Sequence, residues 1–248
     1  LGFKPMTYPS RKIKENKLKA GMRRIQEKQE AFNRTVCRGQ APQVFVSGQW
    51  ARPQQNGANR MYALVAKQDV YFTPNHVGGA RRTEDAVDGL WNFFIDLDVG
   101  KDENGNYMQL GAVDERKKEM MARILQMPKA TAVVETRNGY HVYWAMKPEV
   151  KLSLREWKAA QRRIIELTKS DSAVKDAARL LRMPYTFWCK ADKGKYDTYL
   201  TRIVEVTTVD YKPRDLIEEF EKVAEEFGGD NITIPTVKKD TSVGTVGV

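Results

Sequence analysis

Residues 131–146 restrict the fold more than any other part of this chain. Two runs rich in β-branched and aromatic residues, Thr-Ala-Val-Val-Glu-Thr (131–136) and Tyr-His-Val-Tyr-Trp-Ala-Met (140–146), flank Arg137-Asn138-Gly139. Asn-Gly between apolar runs is a strong hairpin signal, because both residues tolerate the positive φ that a tight turn requires. A third such run, Phe93-Phe94-Ile95-Asp96-Leu97-Asp98, ends differently. Its period of two places Asp96 and Asp98 on one face, about 7 Å apart along the strand. Burying an ionised carboxylate costs several kcal/mol unless a partner compensates it. A strand ending in two acids on one side therefore needs either solvent or a cation.

Around this centre the sequence alternates short strands and helices without strict order. Leu18, Met22, Ile25, Phe32 and Val36 make an apolar stripe at helical spacing over 11–36, and we expect that stripe to pack on the core. Runs at 43–48, 60–66 and 70–75 read as strands. Residues 112–126 read as a helix stopped by Pro128. Ser-Leu-Arg-Glu at 153–156 is a capping box that opens a helix to about Thr168. Residues 171–184 read as a helix closed by Pro184, and Pro213 to about Phe227 as the last one. Strands are expected at 186–190 and 202–208. This interspersion indicates an α+β architecture rather than a doubly wound parallel sheet. Residues 1–40 are expected to form a basic helical segment, 41–230 the main domain and 231–248 a flexible tail.

Charge adds a local signal. Forty-two Lys and Arg against 32 Asp and Glu give a net of +10. Residues 1–40 hold 11 basic and three acidic side chains, a net of +8. Such a balance favours a polyanionic partner. The two cysteines, Cys37 and Cys189, form neither a four-ligand zinc site nor a disulfide framework. No run approaches the roughly 20 apolar residues of a membrane span. The expectation is a cytoplasmic, monomeric piece of a longer protein, with no membrane partner.

Three stretches carry chemistry. Asp96 and Asp98 supply hard oxygen ligands suited to Mg²⁺ or Mn²⁺. The turn amides of Arg137-Asn138-Gly139, the Arg137 side chain and His141 suit the phosphates of a nucleotide. In 171–190, Lys175, Arg179 and Arg182 fall on one helical face opposite Val174, Ala177, Ala178 and Leu181, with Asp171 or Asp176 beside them and Lys190 beyond. Three carboxylates can hold two metal ions about 3.5–4 Å apart while basic side chains neutralise transferring phosphates.

These stretches together resemble the motifs of the archaeo-eukaryotic primase superfamily, in particular the primase-polymerases of phages, plasmids and CRISPR-associated elements. Over about 60–208, Asp-x-Asp matches Asp96 and Asp98, and the Ser-x-His motif matches Gly139 and His141 with Arg137 before it. The third motif matches Asp171, Arg179, Arg182 and Lys190. The resemblance selects Asp171 over Asp176 as a metal ligand. It implies an RRM-like palm with mixed or antiparallel sheets flanked by helices, and a two-metal Mg²⁺ or Mn²⁺ site on Asp96, Asp98 and Asp171. His141, Arg137, Asn138, Gly139, Arg179, Arg182 and Lys190 would bind the nucleotide, with Arg81 or Arg82 as further phosphate or template contacts. Gly139 stands where the family has Ser, so a hydroxyl contact would become a backbone one. The family's zinc element has no cysteines to build it here. The implied substrates are dNTPs or NTPs on a single-stranded or primed DNA template. Two other readings fit single features: a Mn²⁺-dependent glycosyltransferase using Asp-x-Asp, and a non-catalytic RRM-like binder of single strands.

Overall fold

A computed structural model describes residues 11–40, 44–46, 49–51, 69–78, 82–189 and 199–226. The expected strand at 60–66 and the tail 231–248 lie outside them, as do Arg81 and Lys190. In chain order the elements are α1 (Arg11–Thr35), β1 (Val44–Val46), β2 (Gln49–Ala51), β3 (Val70–Phe72), β4 (His76–Val77), a 3-10 turn (Glu84–Ala86), β5 (Val87–Gly89) and β6 (Asn92–Asp98). Then come α2 (Leu110–Ile124), β7 (Ala132–Glu135), β8 (Gly139–Met146), α3 (Leu154–Thr168), β9 (Leu181–Arg182), β10 (Phe187–Trp188), β11 (Tyr199–Leu200), β12 (Arg202–Val206), β13 (Asp210–Tyr211) and α4 (Pro213–Glu226).

The main sheet runs β12-β7-β8-β6, all antiparallel, with β13 joining the end of β8 in parallel. The hairpin legible at 131–146 is its centre: β7 and β8 pair from Ala132↔Tyr143 to Glu135↔Tyr140. One face packs on helices. Phe93 stacks on Trp157 of α3, and Trp144 meets Phe220 of α4 edge-on at 5.0 Å. The other face meets α1 and a second sheet ordered β2-β1-β3-β9. There Phe32, Phe72 and Tyr143 form a fully buried aromatic triangle. The result is an α+β fold of antiparallel sheets flanked, among the described residues, by four helices.

Two expectations need correction. The apolar stripe of α1 packs only in part: Phe32 and Val36 are buried, whereas Met22 and Ile25 are 62% and 43% exposed. More sharply, 171–184 is not a helix. Its buried residues include the apolar ones the helical pattern selected, Val174, Ala177, Ala178 and Leu181, but also Arg182, which that pattern places on the opposite face. Side chains from elsewhere, however, take the backbone groups that a helix would pair. The Val174 carbonyl accepts from Gln161, that of Ala177 from Asn75, and that of Ala178 from Arg82, while the Ala177 N–H donates to Glu84. The segment then enters the second sheet as β9, with Arg182 opposite Tyr71. Tertiary hydrogen bonding here outweighs local propensity.

Candidate active site

Among the described residues strand β6 has one strand neighbour, β8, so half of its backbone groups face away from the sheet. An unpaired edge of this kind invites pairing with another chain. Here side chains and one main-chain amide seal it. Asn75 accepts from the Asn92 N–H at 2.9 Å, and the Trp157 indole donates to the Asn92 carbonyl at 2.9 Å. The Gln161 carboxamide accepts from Phe94 N–H and donates to Phe94 C=O, closing a two-bond clasp. Next along, the Asp171 N–H donates to the Asp96 carbonyl at 3.2 Å. That bond brings Asp171, 75 residues after Asp96 in sequence, beside the strand that carries the other two acids.

On the paired side, register fixes the remaining groups. Asp96 faces His141 and Asp98 faces Gly139 across β6 and β8. His141 Nε2 lies 3.7 Å from Asp96 Oδ1. Alternation along β6 turns both acids toward the side of the second sheet. The two sheets part there around a cleft of about 280 Å³. Asp96, Asp98, Thr136, Asn138 and His141 line it from the main sheet, and Tyr71, Arg179, Leu180, Leu181 and Arg182 from the other side. Lys101 and Tyr107, from the loop after β6, and Trp188 of β10 complete the lining.

The electrostatics are those of crowded like charges. Asp96 is only 26% exposed. Burial, then the neighbouring charges of Asp98 and Asp171, push its carboxyl up to about 7 despite Arg179 and Arg182. Burial, with Arg182 and Arg179 nearby, pushes His141 down to about 3, so its imidazole is neutral at pH 7. Its Nδ1 is buried and has no hydrogen-bond partner among the described residues. Asp98 accepts from the Gly100 N–H at 2.8 Å, and Asn138 Nδ2 reaches its second oxygen at 3.4 Å. Asp171 accepts from the Ala173 N–H in a tight turn.

Among the described residues no three His, Cys, Asp or Glu side chains are gathered into a ready-made metal cage. The donor chemistry nonetheless fits a divalent cation. The carboxylates of Asp96, Asp98 and Asp171 supply hard oxygens, and a dication would offset the burial and the neighbouring charges that raise Asp96.

The basic residues divide. Arg179 is one-third exposed, lines the cleft and pairs with Asp176 at 3.4 Å. Arg182 also lines it, but its guanidinium is held by Asp69 and by the Tyr71 hydroxyl. Lys175 is exposed and does not line the cleft. Arg137 is buried: it packs over Trp188 at 4.8 Å and donates to the Met108 carbonyl at 2.7 Å, so it braces the cleft wall without lining it. Arg82 ties down the 171–182 segment through Ala178. Lys101, Tyr107, Tyr71 and Thr136 are cleft residues that the motifs did not select. The only sequence signal for Lys101 was its position three residues after Asp98. Thr136 places a hydroxyl at the hairpin mouth, where it accepts from the Gly139 N–H at 3.1 Å.

No protein-family model matches this sequence. No curated protein matches it either. Among solved structures, the archaeo-eukaryotic primase domain of the primase-polymerase of cyanophage S-2L matches with a TM-score of 0.51. The match covers 78% of this chain and 97% of that domain at 16% sequence identity. The likeness is one of fold.

Proposed function

We propose that this chain is the catalytic domain of a DNA-dependent primase-polymerase, a nucleotidyltransferase of the archaeo-eukaryotic primase superfamily. One observation carries the reading: Asp96 and Asp98 line a cleft beside His141, with Asp171 bonded through its main-chain N–H to the Asp96 carbonyl, in a fold shared with a primase-polymerase domain. In this reading Asp96, Asp98 and Asp171 hold one or two Mg²⁺ or Mn²⁺ ions. Bound there, the cations would acidify the attacking 3′-hydroxyl and neutralise charge on the triphosphate.

The chain's own groups do the rest. Arg179 and Lys101, both lining the cleft, neutralise the outer phosphates of a (d)NTP. His141 is neutral and buried, so it acts as a hydrogen-bonding group toward phosphate oxygen rather than as a cation. Arg182, held by Asp69 and Tyr71, presents a fixed positive charge that needs no reorganisation when charge develops. Asn138 and the Gly139 backbone close the hairpin side. The 3′-hydroxyl gives up its proton to solvent, its oxygen forms a bond to the α-phosphorus, the bond from α-phosphorus to its bridging oxygen breaks, and pyrophosphate leaves.

Primer extension on a single-stranded template with Mn²⁺ or Mg²⁺ tests this. Asp98→Ala is expected to lose activity on the order of 10³-fold, since a group worth several kcal/mol in the transition state is removed. Its circular dichroism should be unchanged. Full activity in Asp98→Ala or Asp96→Ala would overturn the proposal. Metal-indifferent strand binding without extension would point instead to a binding module. The same assay on an unprimed template, with ribo- and deoxynucleotides in turn, reads de novo priming and sugar choice.

A further inference from the structure

Helix α1 is two things in one. Its last turns belong to the core: Gln29 and Phe32 are buried, Phe32 lies edge-on to Phe72 and Tyr143 at 5.7 Å, and the Val36 carbonyl beyond it accepts from Asn92. Lys28 marks the exit. Its Nζ donates to the Ile203 and Val204 carbonyls at 3.0 Å, over the β12 edge of the main sheet. Before it, residues 20–28 are all exposed. Residues 11–28 at 1.5 Å per residue make a rod of about 27 Å.

That rod carries eight Lys and Arg against Glu15 and Glu27, a net of +6 in a chain whose total is +10. Its Arg23–Glu27 pair at 3.4 Å is exposed and therefore weak. The rod also leaves Met22 and Ile25 in solvent, although its sequence is amphipathic. Over residues 20–28 the helix buries no side chain, and a helical stretch that packs on nothing is marginal in water, so a partner would stabilise it. The direction of departure matters too. Phe32 touches Tyr143, which shares a face of β8 with His141, and Asp96 stands opposite His141. The arm therefore leaves from the same face of the sheet as the acids. Its exit at β12 is three strand spacings from β6, about 14 Å.

We infer that the exposed part of α1 is a clamp for a nucleic-acid strand, with its cations on the phosphates and Met22 and Ile25 against sugar and base edges. This rests on the proposed function for the identity of the polyanion, and it adds where that strand is gripped. No strand recognition by sequence follows, because phosphate contacts carry none.

The test is binding of a thymidine 30-mer, read by fluorescence anisotropy across a salt series, for wild type and for Lys17→Gln/Lys19→Gln/Arg23→Gln/Arg24→Gln. Each lost phosphate contact lowers the slope of log K against log salt by about 0.7. The quadruple variant should lose up to about 3 in slope and at least tenfold in affinity at 0.1 M salt. Its extension rate at saturating template should stay at the wild-type value. An unchanged slope, in a wild type that binds and extends, would overturn the clamp and leave the proposed function standing. Loss of nothing in Asp98→Ala would overturn the function while the slope still reads the clamp. Sedimentation velocity covers the remaining occupant. A wild-type dimer that Met22→Glu/Ile25→Glu dissociates, with DNA binding unchanged, would assign the arm to a second copy of the chain and overturn the inference.

Discussion

A single methyl group at Gly139 would lie 1.7 Å from the Leu97 carbonyl oxygen and 3.3 Å from Asp98 Cα. No side chain can occupy that position while β8 approaches β6 this closely, which is why the site has glycine where the resembling motif has serine. Gly139→Ala should therefore destabilise the fold by about 3 kcal/mol or more, read as a lowered denaturation midpoint, because backbone rather than a flexible side chain has to yield. A variant of wild-type stability would show that the strands are not so tightly opposed. At this scale the motif residues were legible unevenly. Asp96, Asp98 and His141 could be placed because strand period fixes facing. Arg137 could not, because Tyr107 and Trp188, 30 and 51 residues away, receive its guanidinium as a packing partner. Lys101 and Thr136 were passed over because nothing local distinguishes a loop lysine or a strand-end threonine from any other.

Among the elements, local chemistry decided wherever a motif closes within one turn. Ser153 and Glu156 form the expected reciprocal cap: Ser153 Oγ accepts from the Glu156 N–H, and the Glu156 carboxylate accepts from the Ser153 N–H at 2.8 Å. Ser153→Ala should cost about 1 kcal/mol in chemical denaturation, and a loss near zero would mean that packing alone sets the start of α3. The stretch 171–184 shows the opposite case. Its apolar spacing is helical, yet Gln161, Asn75, Arg82 and Glu84 claim its backbone. None of those four is within nine residues of it in sequence, so no window-based reading could find them. The apolar part of the buried set was legible; the secondary structure and the burial of Arg182 were not.

For the whole molecule, the hairpin, the acidic strand and the α+β class were all readable, since each follows from the period and spacing of the apolar runs, although neither Asn138 nor Gly139 adopts the positive φ expected of its turn. The pairing of two separate sheets across a cleft was not, because it depends on contacts between distant segments. The same closeness couples stability to pH. Asp96 near 7 keeps a proton in the folded protein that the unfolded chain releases near 4, so its contribution falls as pH rises between those values. His141 near 3 refuses a proton that the unfolded chain takes up near 6.5, so its contribution rises with pH over nearly the same window. The two offset each other in wild type without divalent metal. Relative to wild type, Asp96→Asn should gain stability as pH rises from about 4 to 6.5, and His141→Gln should lose it, each by up to about 3–4 kcal/mol. Parallel curves for all three proteins would refute the assignment. The sealed edge of β6 reaches further than its hydrogen bonds. The third acid is brought to the strand by a main-chain amide, which every amino acid except proline possesses, so exchanging Asp171 for another residue would remove the carboxylate and leave that hydrogen bond in place.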